Sequence, residues 1–274
     1  MGGSEASSAE CAYPSTTLFD SRGYLLEHAL LDPVATAEAR SLLLASKERL
    51  HRLLEQWTGE PVPDNAAFAR HQLRIPEYTE RGLPVDLRHY LVGEFDLETR
   101  LDRRICRLLS TPGVQEALTR FFGTPKYYVH YPPMVRFKMA DAPGSILPAH
   151  QDFTYNRHLR DFITVWVPLV DIDDQVGGLI LYDGSHLGGS VDHAPDGPWA
   201  HGLTKPADLP YDKHPVHMKV GDALLFPPLL IHESAPHCSP TRLRYSIDFR
   251  VFAAPEDTTK SYYDPIEDRV VRRN

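Results

Sequence analysis

The chain has 274 residues, of which 42% are hydrophobic and 24% charged, enough for a substantial buried core. A net charge of -8 excludes a general nucleic-acid binder, which needs a basic face. The sequence has no apolar run of the ~18 residues that a membrane helix requires, and its 14 histidines raise the question of a shared task.

Met1 to Ser8 is a Gly/Ser/Ala/Glu stretch with neither the basic nor the apolar segment of a secretory signal. Residues 1–16 are expected to be a disordered tail, and residues 17–274 a single domain. Cys11, Cys106 and Cys238 are far apart and odd in number, which points to a reducing cytoplasm rather than a disulfide framework. The absence of a CxxC pair argues against a structural zinc site.

Residues 30–123 read as helical. Asp32-Pro33 supplies an N-cap and a proline at the first helical position, and Leu43, Leu50, Leu54 and Trp57 then mark one face of a helix ending near Trp57. Residues 58–90 hold several prolines and read as loop. Asp96 caps a second helix with Leu97, Leu101, Ile105 and Leu108 on one stripe. Thr111-Pro112 opens a third that stops at Gly123.

The pattern then changes to short runs rich in Val, Ile, Leu and aromatics: Tyr127 to Met139, Phe162 to Val170, Gly178 to Tyr182, Ala223 to Phe226 and Leu243 to Phe252. The last run alternates, with Leu243, Tyr245, Ile247, Phe249 and Val251 on one face and Arg244, Ser246, Asp248 and Arg250 on the other. The expected class is α+β, with a mainly β core over about 127–254, a sandwich or barrel behind N-terminal flanking helices.

The chemistry concentrates in Pro148-Ala-His150-Gln-Asp152. On an extended strand, His150 and Asp152 point to one side and can offer an imidazole and a carboxylate to one ion. His232, after the apolar run 223–226, is the candidate third ligand. Two histidines and one carboxylate are the facial triad of non-haem Fe(II) oxygenases, with open positions for cosubstrate and O₂. A lone histidine is more often a surface or hydrogen-bonded core residue, and His28, His51, His71, His89, His158, His193, His201, His214, His217 and His237 keep that reading. Arg244 and Ser246 follow His232 on the polar face of the last strand, where a guanidinium and a hydroxyl can grip a carboxylate. This suits a keto-acid shaped like 2-oxoglutarate. Competing readings are a surface ion pair of Arg244 with Asp248, or Arg242 as the clamp.

These segments, with Thr164-Val-Trp166-Val-Pro-Leu169, Gly177-Gly-Leu-Ile-Leu-Tyr-Asp-Gly184-Ser-His186, Gly221-Asp-Ala-Leu-Leu-Phe226 and His232-Glu-Ser234, are similar to the phytanoyl-CoA hydroxylase family of Fe(II)/2-oxoglutarate oxygenases. The resemblance runs from about Thr17 to Ala254. It implies a double-stranded β-helix (jelly roll) core with His150, Asp152 and His232 as iron ligands. It also implies Arg244 on the distal carboxylate of 2-oxoglutarate, Ser246 and Ser234 as hydroxyl partners, and Trp166 and Arg136 at the cosubstrate pocket. Halogenating relatives lack the carboxylate ligand, so Asp152 favours hydroxylation.

The expected reaction hydroxylates an unactivated C–H bond of a small natural product or metabolite, consuming O₂ and 2-oxoglutarate and releasing succinate and CO₂. The alternative is a cupin-like metalloprotein that does not use 2-oxoglutarate. Candidate substrate contacts are Tyr131, Phe153, Tyr155 and Arg160, together with Trp199 in the long stretch 187–217, which reads as a lid or an insertion. That stretch has no Arg and only Lys205 and Lys213 as cations, which speaks against a highly anionic acyl-CoA.

Overall fold

The structure is a computed structural model that describes residues 19, 21–140, 146–193, 202–204 and 208–273. The expected tail, Trp199 and His201 lie outside these residues. A short strand β1 (Leu25–Glu27) precedes helix α1 (Pro33–Thr58). The Asp32 carboxylate accepts from the Ala35 N–H at 2.8 Å, and Gly59 closes the helix in the left-handed conformation with its N–H on the Glu55 carbonyl. Leu43, Leu50 and Leu54 are buried, and Trp57 packs edge-on against Tyr78.

The expected loop 58–90 is instead three short helices: α2 (Asn65–Leu73), α3 (Ile75–Glu80) and α4 (Val85–Leu91). The prolines punctuate these helices rather than forbid them. Pro76 sits in the first turn of α3 and Pro84 is the cap of α4, where a missing N–H costs nothing. The expected single helix after Asp96 is likewise two, α5 (Leu97–Arg100) and α6 (Arg103–Arg107), because Asp102 accepts from the Arg104 N–H and restarts the chain. The stripe is thereby split: Ile105 and Leu108 are buried, whereas Leu97 and Leu101 are exposed. Helix α7 (Pro112–Phe122) ends at a left-handed Gly123, as its sequence predicts.

Ten further strands follow: β2 (Tyr128–His130), β3 (Met134–Lys138), β4 (Ile163–Pro168), β5 (Leu179–Tyr182), β6 (Lys213–Pro215), β7 (Ala223–Phe226), β8 (His232–Ser234), β9 (Arg244–Phe252), β10 (Tyr262–Asp264) and β11 (Arg269–Val271). A one-turn helix α8 (Asp152–Tyr155) lies between β3 and β4. The large sheet runs β1-β7-β4-β9-β2-β10-β11, with β3 also on β9, and the small sheet runs β6-β5-β8. All pairings are antiparallel, as a jelly-roll core requires. The core extends beyond 127–254, because β1 pairs with β7 and β10–β11 extend the sheet past β2.

The apolar face of β9 (Tyr245, Ile247, Phe249, Val251) packs into one cluster with Leu43, Leu50 and Leu54 of α1. Helices therefore cover one side of the large sheet. The other side faces the small sheet, and there the polar residues of β9 point inward. A second cluster, including Trp166, Leu181, Leu224 and Phe226, packs against that inner side.

Gly59 and Gly177 both have positive φ, at 75° and 65°, but their surroundings differ. A Cβ on Gly59 meets nothing within 4 Å, whereas one on Gly177 would lie 1.8 Å from the Pro236 carbonyl oxygen. In denaturant titrations, Gly59→Ala is expected to cost ~1 kcal/mol from backbone strain alone, and Gly177→Ala at least ~3 kcal/mol because backbone must move as well.

Candidate active site

A cavity of about 360 Å³ opens between the sheets, lined by β3, β4 and β9 on one side and by β5 and β8 on the other. His150 and His232 meet across an isolated antiparallel bridge, each N–H donating to the other's carbonyl at 3.0 Å. Their rings lie 4.2 Å apart between centroids. His150 Nδ1 bonds the Pro148 carbonyl at 2.8 Å, and His232 Nδ1 bonds the Leu230 carbonyl at 3.0 Å. Each Nδ1 thus carries its proton toward backbone, and each Nε2 is left as a lone-pair donor.

Asp152 completes the group. The HxD segment is not the continuous strand its spacing suggests: Gln151 is extended, and Asp152 already begins α8. One extended residue suffices to put both side chains on one side. Asp152 Oδ1 lies 3.8 Å from His150 Nε2 and 4.0 Å from His232 Nε2, and all three residues are buried. The spacing of these two imidazoles and a carboxylate suits one divalent cation better than direct hydrogen bonds. Thr164 donates to Asp152 Oδ2 at 2.5 Å, and Arg250 donates to Oδ1 at 2.8 Å. Burial opposes the charge on Asp152, but Arg250 and the imidazoles outweigh it and hold the carboxyl down at about 2. Burial, reinforced by His232, depresses His150 to about 3 and keeps the ring neutral. The set is therefore pre-ionised for a metal.

The inner face of β9 forms one rail of the cavity. Its register pairs Arg244 with Lys138, Ser246 with Arg136 and Pro168, Asp248 with Met134 and Trp166, and Arg250 with Thr164. Arg244 and Arg250 are thus about 20 Å apart along the strand. Arg244 is 3% exposed, and no described carboxylate pairs with it. Its guanidinium donates to the Gly178 carbonyl at 2.9 Å, lies over Trp166, and leaves Nε without a partner among the described residues. Burial pushes it down to about 10. The Ser246 hydroxyl is also buried without a described partner, and Ser234 accepts the Leu147 N–H. Lys138 donates to the Ala235 carbonyl at 2.5 Å; burial, with Arg244 beside it, lowers it to about 7.

Arg244 and Arg242 differ in position. Arg244 is not at the surface, and Arg242 is exposed and spends its guanidinium on Asp173 at 2.7 Å. Arg136 reaches the cavity, but Glu94 at 3.0 Å and Asp248 at 3.2 Å already hold it. Of the candidate substrate residues, Tyr155 lines the cavity edge-on to His150. Tyr131, Phe153 and Arg160 do not line it. The Tyr131 hydroxyl is tied to the Leu101 carbonyl, Phe153 faces solvent, and Arg160 reaches the Glu256 carbonyl. Residues that the spacing of HxD alone could not single out include Thr164 and Arg250, which hold Asp152, and His130 and His158, which line the opposite end from Arg244.

Residues 19–244 match the phytanoyl-CoA dioxygenase (PhyH) family. The chain belongs to that family. Two curated relatives are both named 1-deoxypentalenic acid 11-beta-hydroxylase. The Streptomyces arenae protein is 29% identical over 163 residues, covering 53% of this chain and 55% of that one. The Streptomyces exfoliatus protein is 30% identical over 118 residues, covering 40% and 42%. The chain thus spans about half the length, or less, of the curated relatives it matches. Among solved structures, the non-heme monooxygenase ThoJ superposes with a TM-score of 0.58 at 18% identity, covering 93% of this chain and 82% of that one. The epimerase SnoN, solved with Fe³⁺, alpha ketoglutarate and nogalamycin RO, gives 0.55 at 18% identity with the same coverage. At that identity these likenesses establish the fold of a PhyH-family protein.

His130 provides a pH test of this site. Burial, then His158 and Arg250, lowers it to about 3. The unfolded chain takes up a proton near 6.5 and the folded chain does not, so this group removes stability as pH falls from about 6.5 toward 3. His130→Phe is expected to lose ~2 kcal/mol less stability than the parent between pH 7 and pH 4.5, measured by urea unfolding.

Proposed function

We propose that the protein is a non-haem Fe(II)/2-oxoglutarate-dependent oxygenase that hydroxylates an unactivated C–H bond of a small natural-product-type molecule. Arg244 is the single observation that carries this reading beyond a metal site. A buried guanidinium with no protein anion is costly unless a ligand supplies one. That favours a 2-oxoglutarate enzyme over a metalloprotein that ignores the cosubstrate.

In this reading His150 Nε2, His232 Nε2 and Asp152 hold the iron. Arg244 takes the distal carboxylate of 2-oxoglutarate, assisted by the Ser246 and Ser234 hydroxyls, with Trp166 as the wall beneath it. Bound there, Fe(II) supplies O₂ activation coupled to conversion of 2-oxoglutarate to succinate and CO₂. The chain itself fixes the ligands, excludes water and positions the target carbon. Arg136, locked by Glu94 and Asp248, shapes the cavity wall rather than donating to the cosubstrate. Tyr155, beside His150, lies where a substrate would rest.

The curated relatives, hydroxylases by name, support an oxidation of this class. Cys106 and Cys238 are both unpaired, which fits a reducing cytoplasm. No helix of the described residues is long and apolar enough to cross a membrane.

Two measurements test the reading. Anaerobic calorimetry is expected to give 2-oxoglutarate binding that requires Fe(II); Arg244→Ala should weaken it by at least about thirtyfold, the usual cost of removing one partner of a buried charge pair. With O₂ and a turned-over substrate, succinate should form in step with product, and His150→Ala should abolish both. Retained turnover in His150→Ala, or unchanged affinity in Arg244→Ala, contradicts the assignment.

A further inference from the structure

The end of the cavity beyond Asp152 contains polar atoms that neither the metal set nor the cosubstrate clamp uses. Arg250 donates one N–H to Asp152, but its Nε and Nη1 are buried and have no partner among the described residues. His130 Nδ1 and His158 Nε2 are buried and unpartnered in the same way, and the two rings lie 4.6 Å apart. All three residues line the cavity, alongside Arg100, whose guanidinium is held on the Pro133 carbonyl. An arginine can only donate, so its spare N–H groups require an acceptor. A neutral imidazole beside it can present an N–H to the same acceptor.

The charge balance indicates that this acceptor is an anion. Four guanidiniums (Arg100, Arg136, Arg244, Arg250) and three carboxylates (Glu94, Asp152, Asp248) line the cavity. A divalent iron and a 2-oxoglutarate dianion cancel each other, so one guanidinium stays in excess. Arg136 is neutralised by Glu94 and Asp248, and Arg244 is assigned to the cosubstrate. Arg250 faces Asp152, so the formal excess falls on Arg100 at the same end, while the spare buried N–H groups there are those of Arg250.

We propose that Arg250, His158 and His130 form a substrate subsite for a single carboxylate. The substrate is then a compact, largely apolar carboxylic acid. The floor of the subsite is Arg250, which also holds Asp152, so the acid is fixed one side chain away from the metal position. Pro132, Pro133 and Met134 supply apolar wall at the same end. A monoanion of this kind accords with the scarcity of cations in the stretch 187–217. This inference rests on the oxygenase reading and adds the substrate class to it.

The test uses 1-adamantanecarboxylic acid and its methyl ester, rigid probes of the same skeleton. Binding is measured by calorimetry under nitrogen on protein loaded with Fe(II) and 2-oxoglutarate. The acid is expected to bind at least tenfold more tightly than the ester, and both Arg250→Gln and His158→Leu should bring that ratio toward one. His158→Leu alters no group bonded to Asp152, so it serves if Arg250→Gln loses iron. Equal binding of acid and ester, no binding of the acid, or a ratio that survives both variants overturns the subsite. If instead both variants weaken 2-oxoglutarate and leave the ratio intact, these donors serve the cosubstrate and the subsite is wrong. The wild-type 2-oxoglutarate isotherm separates the two claims: if it is absent, the oxygenase reading falls and takes the subsite with it, whereas a normal isotherm without acid preference removes only the subsite.

Discussion

Two reciprocal backbone hydrogen bonds between His150 and His232 set the geometry on which the site depends. They join residues 82 positions apart at one bridge and bring the two imidazoles side by side, with 4.2 Å between ring centroids. The ring orientations are then fixed by the Pro148 and Leu230 carbonyls, two residues before each histidine. Local backbone thus supplies both the meeting point and the tautomer. Asp152 follows because a single extended residue separates it from His150. Its two oxygens are held separately by Thr164 of β4 and Arg250 of β9, so the large sheet locks the carboxylate that faces the small-sheet histidine.

The same construction explains why so many charged groups are buried without disorder. Strand β9 carries an apolar face into the helical layer and a polar face into the cavity, so one alternating sequence serves both sides of a sheet. Arg136 is balanced by Glu94 and Asp248, and Arg250 is partly balanced by Asp152. Arg244 has only backbone carbonyls and the Trp166 ring. Unbalanced donors in a buried cavity are unfavourable for stability and favourable for binding, which is the usual trade at a ligand site.

Much of this was legible in the sequence, for identifiable reasons. The caps at Asp32 and Gly123 and the alternation of β9 are local signals, and the helices and strand they predict are present. The His150, Asp152 and His232 group was readable because i, i+2 spacing survives whether the segment is strand or helix start. The proline-rich stretch 58–90 misled because proline in a first turn and proline in a loop look alike without the neighbouring caps. Asp102 broke the second helix where apolar spacing alone argued for continuity. Arg250 and His130 were harder, since their roles depend on pairing between distant strands. Arg250 nonetheless sat in view, on the same polar face as Arg244 and Ser246. Tyr131 and Arg160 were expected near the metal on sequence proximity, yet each is drawn away by a backbone carbonyl.

In the proposed function one cavity holds both an iron and a keto-acid in fixed relation. A crystal structure grown anaerobically with Fe(II) and 2-oxoglutarate tests this. One metal is expected on His150 Nε2, His232 Nε2 and a single oxygen of Asp152, with the distal carboxylate of 2-oxoglutarate on Arg244 and Ser246. A metal bound elsewhere, or 2-oxoglutarate seated away from Arg244, would contradict it.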